Sequence, residues 1–400
     1  MQIVCTQEAH TFGGPGVFYL GKAEELEQQL LAAYRGKVRL IYLDPPFRTG
    51  EAFSMKIGQG RNAEKITLYE DVLTTEEYVA WMRRVLTLCH ALLDAKGSVY
   101  VHLDYRMSAR IRLLLDEIFG EANFMNEIIW PYKTGGRSKR YFPRKHDTIL
   151  FYRKSKQVYF NIAAVGVPRG AERRNHMKRF IDEDGRVGYS IRSNGKLYKY
   201  YEDSLIYPAD VWGDVEHLQQ KDRERTGYAT QKPEALLKRI ILASSQEGDL
   251  VMDLFSGSGT TAAVAVKNGR RFAVADSSPV AAYILRKRLL AIAGAPDLFD
   301  AKERALSFVY PASDTRAEIA YTTGKRKGER VVKISALTFD DKPAMPVYAA
   351  LGSVEGDTFH AVQTNCSPKL PLTFVLRDKV QNVVQAADAF GHQAFFTIEE

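Results

Sequence analysis

The sequence predicts an α/β protein built around a largely parallel sheet, with an inserted region and a small β-rich domain near its C-terminal end. Three observations lead to this prediction. Apolar strand-like runs alternate with amphipathic helical stretches up to residue 155 and again from residue 230. This alternation stops between the two stretches. Beyond residue 305 only short alternating segments remain, and 400 residues exceed what one small core usually organises.

The first part, residues 1–155, alternates helix and strand. In chain order we expect a helix over 23–34, a strand ending at Asp44, a helix over 75–93, a strand over 98–103, a helix over 108–119 and strands over 126–130 and 146–155. Tyr78, Met82 and Leu86 fall on one face of the second helix. Such a face indicates packing against a sheet.

The later elements divide into three groups. Residues 156–229 are rich in Gly, Arg and short polar runs, which indicates an insertion outside the sheet core. From 230 to 300 we expect a helix over 233–244 that starts at a Pro, a strand over 249–255, a helix over 260–268, a strand over 271–276 and a helix reaching Leu290. Residues 305–400 contain "RVVKISALTF" and "PLTFVL", which predict a β-rich domain.

The overall composition excludes several classes of protein. Hydrophobic residues make up 45% and charged residues 26% of the chain, as in ordinary globular proteins. No apolar run reaches the roughly 18 residues needed to span a bilayer, and no signal peptide is recognisable. The three cysteines have neither metal-ligand nor disulfide-framework spacing. We therefore expect a cytoplasmic protein without a metal site.

The positive charge is concentrated in one segment. Residues 131–180 contain fourteen Lys and Arg against two acidic residues, a local charge of about +12, whereas the whole chain carries +8. Tyr and Phe are interleaved with these bases, a pattern typical of a surface that faces a polyanion. A solvated basic face is the alternative. The candidate nucleic-acid contacts are Lys133, Arg137, Lys139, Arg140, Arg144 and Lys145.

A glycine turn between a strand and a helix predicts a ligand site. "DLFSGSGTT" (253–261) places Gly257 and Gly259 at this turn, where the backbone can approach a ligand closely. A dinucleotide loop would have a third Gly in register, and a phosphate loop would have a Lys after the Gly. Neither is present. The turn therefore predicts a ligand without a pyrophosphate group.

Three polar residues refine the predicted ligand. Asp276 ends the next strand, where a carboxylate can accept hydrogen bonds from both ribose hydroxyls; a helix N-cap is the alternative role. Thr230 and Lys232 precede a predicted helix, whose N-terminus suits a carboxylate. An adenosine ribose, no phosphate and a carboxylate tail together describe S-adenosylmethionine.

The motifs taken together resemble those of the β-class DNA amino-methyltransferases. "DPPF" (44–47) comes first, "TQKPEAL" (230–236) and "DLFSGSGTT" follow, and the next strand ends in Asp276. The segment from "NEIIWPYK" to "FYRKS" is similar to that of modification subunits in type III restriction systems, and the resemblance covers about residues 17–292. It implies a Rossmann-like S-adenosylmethionine-dependent methyltransferase fold, with 1–155 as the catalytic half, 156–229 as the target-recognition insertion and 230–300 as the cofactor half.

The resemblance also implies the site residues. The expected catalytic residues are Asp44, Pro45, Pro46 and Phe47, and the expected cofactor-binding residues are Asp44, Thr230, Lys232, Asp253, Phe255, Gly257, Gly259, Thr260 and Asp276. An exocyclic amine is a weak nucleophile because its lone pair is delocalised into the base. Asp44 and the Pro45 carbonyl can grip its two N–H bonds, while the prolines fix the turn and Phe47 offers a stacking face.

The expected function is adenine-N6 methylation of a flipped-out base in double-stranded DNA. Cytosine-N4 methylation is the first alternative; in the family, Asp at the first position of the motif leans toward adenine. A catalytically silent DNA-binding relative and a methyltransferase acting on RNA or a small molecule are the others. A cognate restriction subunit and a homodimer are further partners that the resemblance suggests, in a prokaryotic or phage source.

Overall fold

The computed structural model describes residues 16–57, 64–133, 138–170, 176–292, 307–309, 316–326, 328–340, 342–343, 347–355, 358–367, 370–378 and 380–399. Six helices lie in these ranges: α1 (Glu27–Tyr34), α2 (Thr75–Leu92), α3 (Ser108–Phe119), α4 (Glu234–Ser244), α5 (Thr260–Lys267) and α6 (Pro279–Leu290). Within the described parts of the chain, no helix is long and apolar enough to cross a bilayer.

Along the chain the strands fall into a first half, an insertion, a second half and a tail. The first half contains β1 (Gly16–Leu20), β2 (Val38–Leu43), β3 (Ala52–Ile57), β4 (Glu64–Glu70), β5 (Leu93–Leu103), β6 (Phe124–Pro131) and β7 (His146–Arg153). The insertion contains β8 (Val167–Pro168), β9 (Lys178–Ile181), β10 (Val187–Ser193), β11 (Lys196–Tyr201) and β12 (Leu205–Ile206). The second half contains β13 (Leu250–Asp253) and β14 (Arg271–Asp276).

The tail is all β in its described residues. Its strands are β15 (Ser307–Val309), β16 (Ala317–Arg326), β17 (Glu329–Phe339), β18 (Lys342–Pro343), β19 (Val347–Glu355), β20 (Thr358–Ser367), β21 (Leu372–Val375), β22 (Val383–Ala387) and β23 (Gln393–Thr397). Two four-stranded sheets are built from β16 to β23. Their facing sides share a buried core that includes Val332, Phe339 and Leu351.

The central sheet has eight strands, in the order β15-β1-β14-β13-β2-β5-β7-β6. Neighbours from β15 to β5 are parallel, and β7 pairs antiparallel with both β5 and β6. The predicted α/β fold with a largely parallel sheet is therefore confirmed. One face of the sheet packs against α1, α2 and α3, and the other packs against α4, α5 and α6.

Most predicted elements are present, but several differ in their bounds. Strand β5 begins at Leu93, five residues before the predicted start at 98. Helix α1 begins at Glu27, four residues later than expected. The hairpin β3–β4 follows the "DPPF" loop and was not predicted. Strand β15 lies beyond the predicted boundary at 305 but pairs with β1 in the central sheet. Helix α2 matches its prediction within one residue, because Thr74 and Glu77 form a reciprocal cap at its start.

The tail packs against helix α6. Ala389 lies in a buried cluster with Val280 and Ile284 of α6 and with Tyr228. The guanidinium of the buried Arg286, also on α6, stacks 4.1 Å from the ring centroid of Tyr348 in β19. A cation over an aromatic face is an attractive contact, more so away from water.

Candidate active site

A cavity of about 500 Å³ opens at the carboxyl ends of β2, β13 and β14. This edge of a parallel α/β sheet is where ligands usually bind. The lining includes many of the residues that the sequence singled out: Asp44, Pro46, Thr230, Lys232, Asp253, Phe255, Gly257, Thr260 and Asp276. The fold therefore brings both predicted motif groups, which are about 200 residues apart in the chain, to one site.

The two carboxylate oxygens of Asp44 differ in their surroundings. Asp44 follows β2 directly, and its Oδ2 accepts a hydrogen bond from Lys232 Nζ at 2.5 Å. Only 15% of the Asp44 side chain and 12% of the Lys232 side chain are exposed. Oδ1 is buried and has no hydrogen-bond partner among the described residues. A buried carboxylate oxygen without a donor is costly, so that a donor supplied by a ligand or by water is expected there.

Contacts from α2 and from Lys232 hold the loop that carries Asp44. Tyr78 in α2 donates its hydroxyl hydrogen bond to the Pro46 carbonyl at 2.7 Å. Lys232 Nζ lies 5.1 Å from the ring centroid of Phe47. Pro45 is buried. These contacts fix the loop between the sheet and α2, which agrees with a turn that aims its acceptors.

Phe47 rests on a buried histidine that the sequence reasoning missed. The rings of Phe47 and His102 stack with centroids 5.8 Å apart and planes 23° apart. His102 Nδ1 lies 2.9 Å from the Tyr42 hydroxyl, and Nε2 lies 3.1 Å from Asp147 Oδ2. Burial alone would raise the pKa of Asp147, but the hydrogen bond and charge of His102 hold that pKa below its usual value. One face of Phe47 is thus covered by an oriented imidazole.

The glycine turn lies between β13 and α5, as the sequence predicted. Gly257 and Gly259 have φ of 49° and 72°, in the left-handed region that favours glycine. A Cβ on Gly259 would lie 2.5 Å from Leu285 Cδ1, and one on Gly257 would lie 3.1 Å from the Tyr228 ring. Close packing of the protein on itself is therefore a second reason for these glycines, and Gly259 is absent from the cavity lining.

Asp253 and Asp276 are buried acids that organise the turn. Asp253 accepts hydrogen bonds from Phe255 N at 3.0 Å and Thr261 Oγ1 at 2.6 Å. Asp276 accepts from Gly257 N at 2.7 Å and Ser278 N at 2.8 Å. Burial raises the pKa of Asp253 to about 7 and that of Asp276 to about 6.

Asp276 retains capacity for a ligand. Its bond to Ser278 N lies next to the start of α6, so part of the capping alternative is present, although the N-cap residue itself is Ser278. Each carboxylate oxygen has a second lone pair, and Asp276 lines the cavity. Ribose binding by Asp276 therefore stays a prediction.

The predicted DNA-contact residues that the structure describes lie between β6 and β7, a connection that joins the sheet beside the carboxyl end of β5. Lys133, Lys139, Arg140 and Arg144 are exposed, Lys145 is half-buried, and Arg137 lies outside the described residues. Lys133 faces Glu216 at 3.4 Å in an exposed pair, an interaction worth little in water. The described residues contain no group of three His, Cys, Asp or Glu that could hold a metal ion.

Two further cavity residues had no sequence signal. Trp81 in α2 donates its indole N–H to Glu24 Oε2 at 3.2 Å and meets the Phe255 ring edge-on at 5.4 Å. Tyr228 covers Gly257. Each comes from an element that tertiary folding alone brings to the glycine turn, so that spacing within the sequence could not identify them.

Comparison with known proteins gives a consistent set of relatives. Residues 38–287 match the family model N6_N4_Mtase, described as DNA methylase. The Type II methyltransferase M.EcaI of Enterobacter cloacae is 31% identical over 307 residues, 65% of this chain and 66% of that protein. The DNA adenine methyltransferase YhdJ of Escherichia coli K12 is 32% identical over 237 residues, 59% of this chain and 70% of that protein.

The solved structures that match this chain have low sequence identity to it. The cytosine-N4-specific PvuII DNA methyltransferase is 16% identical, covers 74% of this chain and 95% of its own, and has a TM-score of 0.47. The Thermus thermophilus protein TTHA0409, a putative DNA modification methylase complexed with S-adenosyl-L-methionine, is 17% identical, covers 74% and 99%, and has a TM-score of 0.45. The match to M.EcaI spans just under two thirds of that relative's length.

Proposed function

This chain belongs to the DNA methylase family matched over residues 38–287, and from that premise we propose that it transfers a methyl group to the exocyclic N6 of adenine in double-stranded DNA. The observation that carries the proposal is the Asp44 carboxylate: one oxygen is held by Lys232 and the other is buried without a partner among the described residues, at the wall of the cavity. An amine N–H is a donor that would satisfy this oxygen.

The cofactor is S-adenosyl-L-methionine, and the residues present fit it. When bound, it supplies an electrophilic methyl group. Asp276 offers carboxylate lone pairs for the two ribose hydroxyls. Gly257, in the left-handed conformation, lines the cavity beside it without a side chain. Phe255 and Trp81 provide apolar surface close by. Thr230 and Lys232 complete the wall on the side of α4.

The residues of the "DPPF" loop act on the amine. Asp44 Oδ1 accepts a hydrogen bond from one N–H, and the Pro45 carbonyl accepts one from the other. Both acceptors are preorganised, so that the lone pair localises on nitrogen as the transition state forms. Phe47, whose ring stacks on His102, offers an aromatic surface to the base beside this cavity.

A base in a duplex cannot reach this loop, so the proposed reaction requires the target nucleotide to leave the stack. The exposed Lys and Arg side chains of residues 131–180 would hold the DNA phosphates while the target nucleotide is extruded. The choice of adenine is supported by Asp at the first position of the motif and by YhdJ, a DNA adenine methyltransferase 32% identical to this chain. A restriction subunit and a homodimer stay predictions.

Mass spectrometry of nucleosides tests the proposal. Purified protein and S-adenosyl-L-methionine are incubated with unmodified double-stranded DNA, and with RNA in parallel, before digestion. We expect N6-methyladenine in the DNA alone, and far less of it with the Asp44→Ala variant after the same incubation. N4-methylcytosine in the DNA would contradict the choice of adenine. Methylated RNA would contradict the choice of DNA as substrate. The absence of any modified nucleoside would contradict the methyltransferase activity itself.

A further inference from the structure

The loop between β6 and β7 presents an apolar side chain to solvent. Phe142 is 96% exposed, the largest value for a bulky apolar residue in the described parts of the chain, and its neighbour Tyr141 is 57% exposed. Pro143 follows, and a residue before proline is restricted to extended conformations. Single exposed apolar side chains are common on protein surfaces, so that exposure alone does not define a function.

The charge around Phe142 specifies what kind of partner could cover it. Lys139, Arg140 and Arg144 lie within three residues of it and are exposed. The sequence has no acidic residue between Glu127 and Asp147. An apolar tip surrounded by cations is unsuited to a neutral apolar partner, because the cations would lose water without compensation. It suits a polyanion with an apolar interior, which describes stacked base pairs between phosphate backbones.

The base of the loop is anchored, so that Phe142 has a defined position. Arg144 Nη1 donates to the Tyr105 hydroxyl at 2.7 Å, and its guanidinium lies 3.9 Å from the Tyr105 ring centroid and 4.8 Å from that of Tyr141. Ser138 Oγ accepts from Arg140 N at 3.2 Å and from Tyr141 N at 3.3 Å. Side chains on both sides of Phe142 are thus tied down while its own ring is exposed.

The loop emerges at the sheet edge that carries Asp44. It leads into β7, whose Thr148 pairs with Leu103 at the carboxyl end of β5. The residue before Thr148, Asp147, bonds His102, and His102 stacks on Phe47 of the catalytic loop. The loop that carries Phe142 is therefore connected through two side-chain contacts to the residues that would receive the target base.

We propose that Phe142 is a wedge that enters the duplex and fills the gap left by the extruded target base, with Arg140 and Arg144 on the flanking phosphates. The inference rests on the proposed function, since only an enzyme acting on a flipped base needs such a residue. An apolar side chain inserted between base steps replaces lost stacking and so stabilises the open duplex. Phe142 touches neither the amine nor the cofactor in this role.

The test compares Phe142→Ala with the wild type on two duplexes that carry the recognition sequence, which is first read from DNA methylated by the wild type. In one duplex the target base is paired; in the other it lies opposite an abasic site and is already unpaired. Leu113→Ala, which truncates another exposed side chain (71% exposed, on α3), is the matched control. Single-turnover rates, affinity for the cofactor and 2-aminopurine fluorescence at the target position are measured.

We expect Phe142→Ala to methylate the paired duplex at least about tenfold more slowly, equivalent to about 1.4 kcal/mol, with less 2-aminopurine fluorescence. On the unpaired duplex the Phe142→Ala rate should stay within about twofold of the wild-type rate. Phe142→Trp should restore the rate on the paired duplex, and Leu113→Ala should change the rate on neither duplex. Equal losses on both duplexes, or no loss on the paired one, would overturn the wedge. If the wild type methylated neither duplex, the proposed function itself would fail.

Discussion

Replacing Lys232 by Met separates two roles that this residue can have. The sequence predicted that it binds the cofactor, whereas the structure places its ammonium 2.5 Å from Asp44 Oδ2. Two unit charges at that distance attract by about 7 kcal/mol at an effective dielectric constant of about 20. Desolvation of both ions offsets much of this attraction, and deleting one partner of a buried pair typically costs about 3–5 kcal/mol.

Part of that cost should appear in the reaction rate. Without Lys232 the Asp44 carboxylate can rotate, and this change removes the acceptor from its place. Misplacing a catalytic group by about 1 Å can cost about a hundredfold in rate. We therefore expect Lys232→Met to lower the single-turnover rate about a hundredfold, while affinity for S-adenosyl-L-methionine, measured by calorimetry, changes less than about threefold.

Lys267→Met is the matched control for this experiment. Lys267 also forms an ion pair, with both Glu234 oxygens at 2.7 and 2.8 Å, but it is 41% exposed and lies away from the cavity lining. Its loss should leave the rate unchanged, because exposed pairs contribute little. A Lys232→Met enzyme with normal single-turnover rate and much weaker cofactor binding would refute the assignment to Asp44 and support the cofactor role.

Two other predictions concern the cofactor and the DNA. Asp276→Ala should weaken cofactor binding by about 1.5–3 kcal/mol, the loss of charge-assisted hydrogen bonds. The pKa of Asp276 is raised to about 6, so the wild-type affinity for the cofactor should be full above pH 6 and should fall below it as the carboxylate protonates. Calorimetry from pH 5 to 8 checks this. An affinity that does not change with pH would return Asp276 to a capping role. Replacing Arg137, Lys139 and Arg140 together by Ala should reduce the slope of log affinity against log salt by about 0.9 for each lost phosphate contact; an unchanged slope would place the DNA elsewhere.

The sequence predicted those parts of the fold whose signals are local. Helix α2 begins at a reciprocal cap and buries one face, and strand β14 is an apolar run ending at an acid, so both were predicted within one residue. The β3–β4 hairpin was missed, although Phe53, Met55 and Ile57 alternate with polar residues in β3 as expected of a strand. Residues 58–63 between the two strands contain no Asn-Gly or Asp-Gly pair, so that the sequence marks no hairpin turn there.

The candidate site was predicted where a motif implies its chemistry. Asp44, Gly257 and Asp276 could be named because each follows a strand, and parallel strands end at a common edge. His102 could not, because "YVHLDY" reads as an apolar strand and nothing local shows that its ring supports Phe47. The packing of the tail against α6 likewise depends on contacts more than 60 residues apart in the chain.

The role of Asp44 as the acceptor that positions the target amine is tested most directly by single-turnover methylation with Asp44→Ala. Saturating cofactor and DNA are used, with both affinities measured separately. We predict that the rate falls at least about a hundredfold, the scale of losing one preorganised polar group in an active site, while both affinities stay within about threefold. A near-normal rate in the folded variant would contradict the account.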